Sequence, residues 1–342
     1  MIRKFEFCKL ADGRPVTAFE ISNSFGEKAV ILDYGAIIAS LQVRDRTGKI
    51  GDVVLGADPG QDISKTPYTA ALMGRCGNRI AYGTFSIDGK TYHLKAEEGP
   101  HHLHGAEGNW ANQFFTGTAC GEDKVELRLK DDGRDGWGCS ADVLITYTFD
   151  DSHALTLQYE AKPEGDTVIS PTCHAYFNLN APADVLDTEM HISADSYAPK
   201  SDLHMPDGRL APVAGTPLDF TAPRTLRETL KDQEHFFPDY QDSYDDFYSV
   251  NGRGFRQMAE AYNPESGRVL QVSSDAPSLI FYTPVVKEPV TNKGGLSYKG
   301  HIAFCLETQY MPNAVNCPEY PSPVFHKGET MHMKTVFAFG VR

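Results

Sequence analysis

Strict alternation of apolar and polar residues recurs along this chain. A period of two commits a segment to a strand with one face in a core and one toward water, because successive side chains leave opposite sides of the pleat. In Leu155-Thr156-Leu157-Gln158-Tyr159-Glu160-Ala161 the residues Leu155, Leu157, Tyr159 and Ala161 share one face, and Thr156, Gln158 and Glu160 share the other. Val125 to Lys130 repeats the pattern, and Met333, Thr335, Phe337, Phe339 and Val341 carry it to the C-terminus. Val143 to Phe149 is rich in β-branched and aromatic residues, which suit a pleated surface. Phe85-Ser86-Ile87 and Thr91-Tyr92-His93-Leu94 flank Asp88-Gly89-Lys90, whose Asp-Gly supplies the positive φ of a tight hairpin turn.

Helical spacing is scarce. One short helix is expected after Pro223, over Thr225-Leu226-Arg227-Glu228-Thr229-Leu230, and a helical turn near Phe255 to Met258. No linker, composition shift or fixed-period repeat divides the 342 residues, so one domain spanning residues 1–342 is expected. Many strands joined by hairpins and loops cover their faces by stacking, which predicts an all-β fold, a large antiparallel β-sandwich.

Acidic residues outnumber basic ones by 46 to 32, giving a formal net charge of −14, and such a surface repels phosphate backbones. Nucleic acid is therefore not an expected partner, and an uncharged small molecule is. The seven cysteines are odd in number, scattered and never spaced as Cys-x-x-Cys, a pattern that fits reduced thiols. Met1-Ile2-Arg3-Lys4 followed by Phe5-Glu6-Phe7 has no apolar signal core. The most apolar stretch, Ala29 to Val43, is broken by Asp33 and Gly35 and is shorter than the ~20 residues a membrane helix needs. The expectation is a cytoplasmic protein, without a membrane partner, acting as a monomer or homodimer.

Four segments are chemically dense: Gly74-Arg75-Cys76-Gly77-Asn78-Arg79-Ile80, His101-His102-Leu103-His104-Gly105, Cys173-His174-Ala175-Tyr176-Phe177-Asn178-Leu179 and Leu306-Glu307-Thr308-Gln309. Glu307 ends an apolar run, where desolvation raises a carboxylate's basicity; it reads either as a general base or as a carboxylate bonded to its neighbours at a strand end. His174 precedes the aromatic pair Tyr176-Phe177 and reads as an acid in a partly apolar wall or as a satisfied structural imidazole. Three imidazoles at His101, His102 and His104 invite a zinc reading, but no Cys or carboxylate completes a ligand spacing, so no metal is assigned. Arg75 and Arg79 bracket Asn78 and could present planar donor forks to hydroxyls, or cap loop carbonyls. Asp242, Asp245 and Asp246 surround Tyr244 in an acidic loop, where a carboxylate can accept from adjacent hydroxyls or simply be solvated. No phosphate-binding Gly motif is present, and no cofactor is expected.

Taken together and in this order, the segments resemble the aldose 1-epimerase (galactose mutarotase) family. Gly74 to Ala81 is similar to that family's Gly-Arg-x-x-Asn-Arg-Ile-Ala, Leu103-His104-Gly105 to its Leu-His-Gly, and His174 to Leu179 to its His-Ser-Tyr-Phe-Asn-Leu. Leu306-Glu307-Thr308-Gln309, then Pro312-Asn313-Ala314-Val315-Asn316, is similar to its Leu-Glu-Thr-Gln and Pro-Asp-Ala-Val-Asn. The resemblance implies a galactose mutarotase-like supersandwich that interconverts the α and β anomers of a free aldose, such as galactose or glucose, by acid–base ring opening and reclosure. It implies Glu307 as the base on the anomeric hydroxyl, His174 as the acid on the ring oxygen, His104 beside them, and Arg79, Asn78 and Asp245 holding the sugar. Three positions depart from the pattern: Cys173 where Asn is usual, Asp246 where His is frequent, and Ile280 where a Gln commonly precedes Phe-Tyr-Thr. Competing readings are a hexose-6-phosphate 1-epimerase, which needs a cationic cluster for the phosphate, a non-catalytic sugar-binding protein and, third, a glycoside hydrolase with two carboxylates astride the bond.

Overall fold

The structure is a computed structural model that describes residues 1–65, 69–201, 204–236 and 243–342. Three antiparallel sheets dominate it. An N-terminal meander pairs Ile2–Lys9, Pro15–Ser22, Lys28–Leu32, Ile38–Arg44 and Ile50–Asp52 in sequence order. A nine-stranded sheet is centred on Ala141–Phe149, Ala154–Pro163, Met331–Val341 and Arg268–Ser274. A second five-stranded sheet, the cleft sheet, contains Ser196–Ala198, Asp245–Ser249, Ser278–Tyr282 and Cys305–Gln309 as neighbours.

The alternation read from the sequence sets the register. Val125, Leu127, Ile145, Tyr147, Leu157 and Tyr159 stand opposite one another on adjacent strands and point into one core. They meet Phe19, Ile31, Ile38 and Leu41 of the meander and Leu279, Phe281 and Leu306 of the cleft sheet, so the layers form a sandwich over a shared interior. Each such Leu or Phe withdrawn from water contributes roughly 1.5–3 kcal/mol. Polar stitches cross the layers as well: Tyr147 donates to the Ala36 carbonyl at 2.7 Å, and the Thr308 and Thr335 hydroxyls meet at 2.5 Å.

The expected hairpin is present, with strands Thr84–Ile87 and Lys90–His93 and positive φ at both Asp88 (49°) and Gly89 (80°). The helix expected over residues 225–230 runs longer, Leu226–Phe236. Its start is set by a capping box, in which the Glu228 N–H donates to Thr225 Oγ1 (3.3 Å) and the Thr225 N–H donates to Glu228 Oε2 (3.2 Å). The turn expected near Phe255 to Met258 is instead the start of strand Arg256–Tyr262. A bulge between Gln257 and Ala259 disturbs its alternation, and pairing with Arg268–Ser274 on one side and Glu189–Ile192 on the other overrides local spacing. Asp242 lies outside the described residues. All seven cysteines are free, and five are buried. No helix among the described residues is long and apolar enough to cross a membrane.

Candidate active site

The cleft sheet positions the carboxylates by its own alternation. On strand Cys305–Gln309, Leu306 and Thr308 face the core, which turns Glu307 and Gln309 to the other side. Glu307 pairs across the strand with Ile280, and Asp245 pairs with Tyr282, so these four side chains share that outer face. Ile280 itself is buried with Phe247 and Met311, a small apolar floor beside Glu307.

The remaining groups reach the same face from loops. Strand Thr172–Cys173 pairs with Leu72–Met73, and the His174 N–H donates to the Ala71 carbonyl at 3.0 Å, which delivers the imidazole to Glu307. His174 Nε2 lies 3.4 Å from Glu307 Oε1. The imidazole stacks on Tyr176 (centroids 4.7 Å apart, 23° between planes) and meets Tyr282 and His104 edgewise at 5.9 and 5.6 Å. Cys173, one residue before it, is a buried member of the main core.

Arg79, Asn78 and His104 form one unit. Arg79–Ile80 pairs with His102–Leu103, and just past this ladder the His104 N–H donates to the Asn78 carbonyl (3.0 Å) while the Asn78 N–H donates to His104 Nδ1 (3.0 Å). A ring nitrogen that accepts cannot carry the proton, so neutral His104 carries its proton on Nε2. The next residue must be glycine, because a Cβ on Gly105, at φ 96°, would stand 2.1 Å from the Gly74 carbonyl oxygen. Arg79 donates to Glu98 Oε1 at 2.8 Å, and its Nη1 lies 3.4 Å from Asn78 Oδ1 and 3.8 Å from Asp245 Oδ2. Asn78 Oδ1 also accepts the Arg79 N–H (2.9 Å), so the oxygen of that amide is engaged in holding the arginine. Behind the unit, the Asn313 N–H donates to the Arg79 carbonyl at 2.9 Å and Asn313 Oδ1 accepts the Ala81 N–H at 3.0 Å.

Burial and charge set the proton affinities. Burial, reinforced by the negative charge of Asp245 and opposed by Arg79, pushes the Glu307 carboxyl well above the usual carboxylate range. Burial pulls His174 down to about 4. Burial, then the neighbouring His174, Arg79 and His102, holds His104 well below an ordinary imidazole. A buried carboxylate raised in this way is a stronger base, and a buried imidazolium lowered in this way is a stronger acid. Between the two limits the pair therefore carries one shared proton.

All six expected site residues, Glu307, His174, His104, Arg79, Asn78 and Asp245, thus belong to one connected group. Arg75 does not. Its Nε bonds Asp131 Oδ2 at 2.9 Å, its Nη1 donates to Thr167 Oγ1 at 3.1 Å, and the guanidinium sits over Trp137, which makes it a buried knot and not a donor fork for a ligand. His101 and His102 also turn away: His101 Nδ1 accepts the Tyr82 N–H and His102 Nδ1 bonds the Lys95 carbonyl. Asp246 is buried against Lys200. Glu98, Asn313 and Tyr282 were not singled out in the sequence. Of these, Asn313 and Tyr282 carried a signal, in the Pro-Asn-Ala-Val-Asn and Phe-Tyr-Thr segments, and Glu98 carried none. A separate cavity of about 410 Å³, lined by Phe5, Phe7, Asp52, Lys293 and Tyr298 among others, contains none of these groups, and its Lys293 is paired with Asp52 at 2.7 Å.

Known proteins resemble this chain along most of its length. Residues 17–338 match the family model for aldose 1-epimerase. Human galactose mutarotase is 35% identical over 316 residues, covering 91% of this chain and 90% of the human protein. The aldose 1-epimerase of Escherichia coli K12 is 26% identical over 335 residues and covers 96% of each chain. A solved aldose epimerase homologue from C. elegans superposes with a TM-score of 0.85 at 26% identity, over 94% of this chain and 98% of its own. With family model, relatives and fold in accord along nearly the whole sequence, the chain belongs to the aldose 1-epimerase family.

Proposed function

We propose that this protein is a mutarotase in which Glu307 and His174 carry out the proton transfers that interconvert the anomers of a free aldose. The observation that carries the reading is the 3.4 Å contact between two buried groups of opposite proton demand, Glu307 Oε1 and His174 Nε2. Mutarotation needs a proton removed from the anomeric hydroxyl and one given to the ring oxygen, and both oxygens sit on the same carbon. Acid and base must therefore be close neighbours.

In the forward direction, from the form with the pair's shared proton on His174, Glu307 takes the hydroxyl proton while His174 protonates the ring oxygen. The bond from the anomeric carbon to that oxygen breaks and the free aldehyde forms. Rotation about C1–C2 presents the other carbonyl face. Closure returns the proton from Glu307 to the carbonyl oxygen and takes the ring hydroxyl proton back onto His174. Protonated and deprotonated forms are restored, so no cofactor is consumed. His104 Nε2–H supplies a neutral donor beside the reacting carbon, which suits an oxygen gaining negative charge. Arg79 and Asp245 offer a donor and an acceptor to sugar hydroxyls, and Asn78 holds Arg79. Galactose is the first sugar to test, because the 35% identical human relative is a galactose mutarotase.

Arg79 is shared between Glu98 and Asp245, an arrangement that does not favour a phosphorylated sugar. Free thiols and the acidic surface support a cytoplasmic enzyme acting on neutral monosaccharides as a monomer or homodimer, with the chain as one domain. Polarimetry of freshly dissolved α-D-galactose and α-D-glucose tests the reading, with Glu307→Gln as the control for buffer catalysis. Faster relaxation with wild type alone supports it. Relaxation no faster than in buffer for any aldose would overturn it in favour of sugar binding without turnover.

A further inference from the structure

Asp245 is the first residue of its strand, and the ladder on one side of it stops early: Ser196–Ala198 pairs only with Phe247, Tyr248 and Ser249, leaving Asp245 and Asp246 beyond its end. Just past that end stands Lys200. Its Nζ lies 3.0 Å from Asp246 Oδ1, with both side chains 3% exposed. The same Nζ donates to the Asp245 carbonyl, and the Asp245 N–H donates to Asp246 Oδ2 at 3.2 Å. Both backbone polar groups of Asp245 thus end on the two charges of one buried ion pair. Lys200 is further held over the Phe247 ring, its Nζ 5.5 Å from the centroid.

A buried ion pair is a poor stabiliser compared with apolar side chains of similar shape, so its presence calls for another reason. We propose that Lys200 and Asp246 are positioning residues for the reaction, a clamp that replaces the missing ladder and fixes the Asp245 carboxylate. That carboxylate sits 3.8 Å from Arg79 and 3.3 Å from His204, where a sugar hydroxyl can be bonded. The inference rests on the reading of Asp245 as a sugar-holding residue. If the clamp slackens, the carboxylate loses its place and sugar affinity falls, while Glu307 and His174, held by other elements, keep turning over.

The test compares Lys200→Met, Asp246→Asn and the double variant Lys200→Met/Asp246→Leu with Asp245→Asn, measuring KM, kcat and Tm for the sugar that wild type turns over. Asp245→Asn is expected to raise KM about tenfold or more. The double variant is expected to recover the stability lost in the single ones, because an apolar pair needs no partner charge, and still to show KM raised about tenfold with kcat within about threefold of wild type. Asp246→Asn, which keeps an acceptor oxygen, is expected to raise KM by about threefold. A double variant that regains wild-type KM together with its Tm would overturn the clamp and leave the pair a packing feature. If the double variant does not fold, an unchanged KM in Asp246→Asn overturns it and a raised KM supports it. An unchanged KM in Asp245→Asn itself would instead overturn the role assigned to Asp245.

Discussion

Arg75 and Arg79 stand four residues apart in one segment, and each ends beside a carboxylate, yet the regions around them differ in kind. Arg75 is enclosed: its side chain is fully buried, Asp131 beside it is 5% exposed, and Thr167 and Trp137 complete the surround. The Trp110 indole N–H also donates to that Asp131 oxygen at 2.9 Å, so the knot ties three distant segments together. Arg79 is itself buried, its side chain 9% exposed, but its partner Glu98 is 43% exposed and its second carboxylate, Asp245, stands off at 3.8 Å. Both guanidinia are buried, but Arg75 Nη2 is left without a hydrogen-bond partner inside its knot, whereas each Arg79 side-chain nitrogen lies near an acceptor, two of them on the partly exposed Glu98. The partners, and not the shared Gly-Arg-x-x-Asn-Arg motif, separate the enclosed arginine from the one proposed to bind sugar.

The sharpest break between the two regions is at Glu307, in that of Arg79. Glu307→Gln keeps shape but removes the base, and turnover is expected to fall by about 10²–10⁴-fold with KM changed little, as measured by polarimetric initial rates. In the enclosed region the largest effect is on folding. Arg75→Met strands Asp131 and is expected to cost about 3–5 kcal/mol in denaturant unfolding, with KM unaltered in whatever protein remains folded. Arg79→Met should do the reverse, raising KM about tenfold, or ~1.4 kcal/mol, while moving stability by less than Arg75→Met does. Equal losses of stability from both arginines would erase the distinction.

The pH dependence sharpens it further. The Glu307–His174 pair gains a second proton only near the depressed His174 value of about 4, and loses its last proton at the raised Glu307 value. A bell-shaped kcat/KM profile is expected, with its acid limb well below an ordinary imidazole and its alkaline limb above the carboxylate range. A single limb near 6.5, the ordinary imidazole value, would separate the two groups.

The smallest effect is in stability. A carboxyl whose folded pKa is raised favours folding fully only below its unfolded value and loses that contribution as pH rises through the folded one. Native Glu307 is therefore a burden at neutral pH, and Glu307→Gln is expected to raise Tm by a few degrees there, equivalent to ~1–2 kcal/mol, with the difference shrinking below about pH 4. Calorimetry across pH measures this directly.

Where partners lie near in sequence, the chain could be read in advance. The Asp88-Gly89 turn joins its own flanking strands, and Leu155 to Ala161 alternates because each residue's face is decided by its immediate neighbours. The residues beside Glu307 and His174 left a catalytic and a structural reading open for each, and the resemblance to a known family favoured the catalytic one. Arg75 was not separable from Arg79, since Asp131 and Thr167 arrive from far along the chain and leave no local mark. Glu98, reaching Arg79 from 19 residues away, and Lys200, reaching Asp246 from a different strand, were invisible for the same reason. At Phe255 to Met258 a bulge blurred the period, and sheet pairing decided the outcome.

By itself, then, the sequence determined most of the strands and the sandwich class, because period and turn chemistry are properties of short segments, while the roles expected of Glu307 and His174 rested on the resemblance of four ordered segments to a known family. Only the tertiary structure decided which groups share a site. Proton affinity and binding geometry depend on burial and on charges a few ångströms away, and here those neighbours come from strands and loops that meet only when the sheets stack.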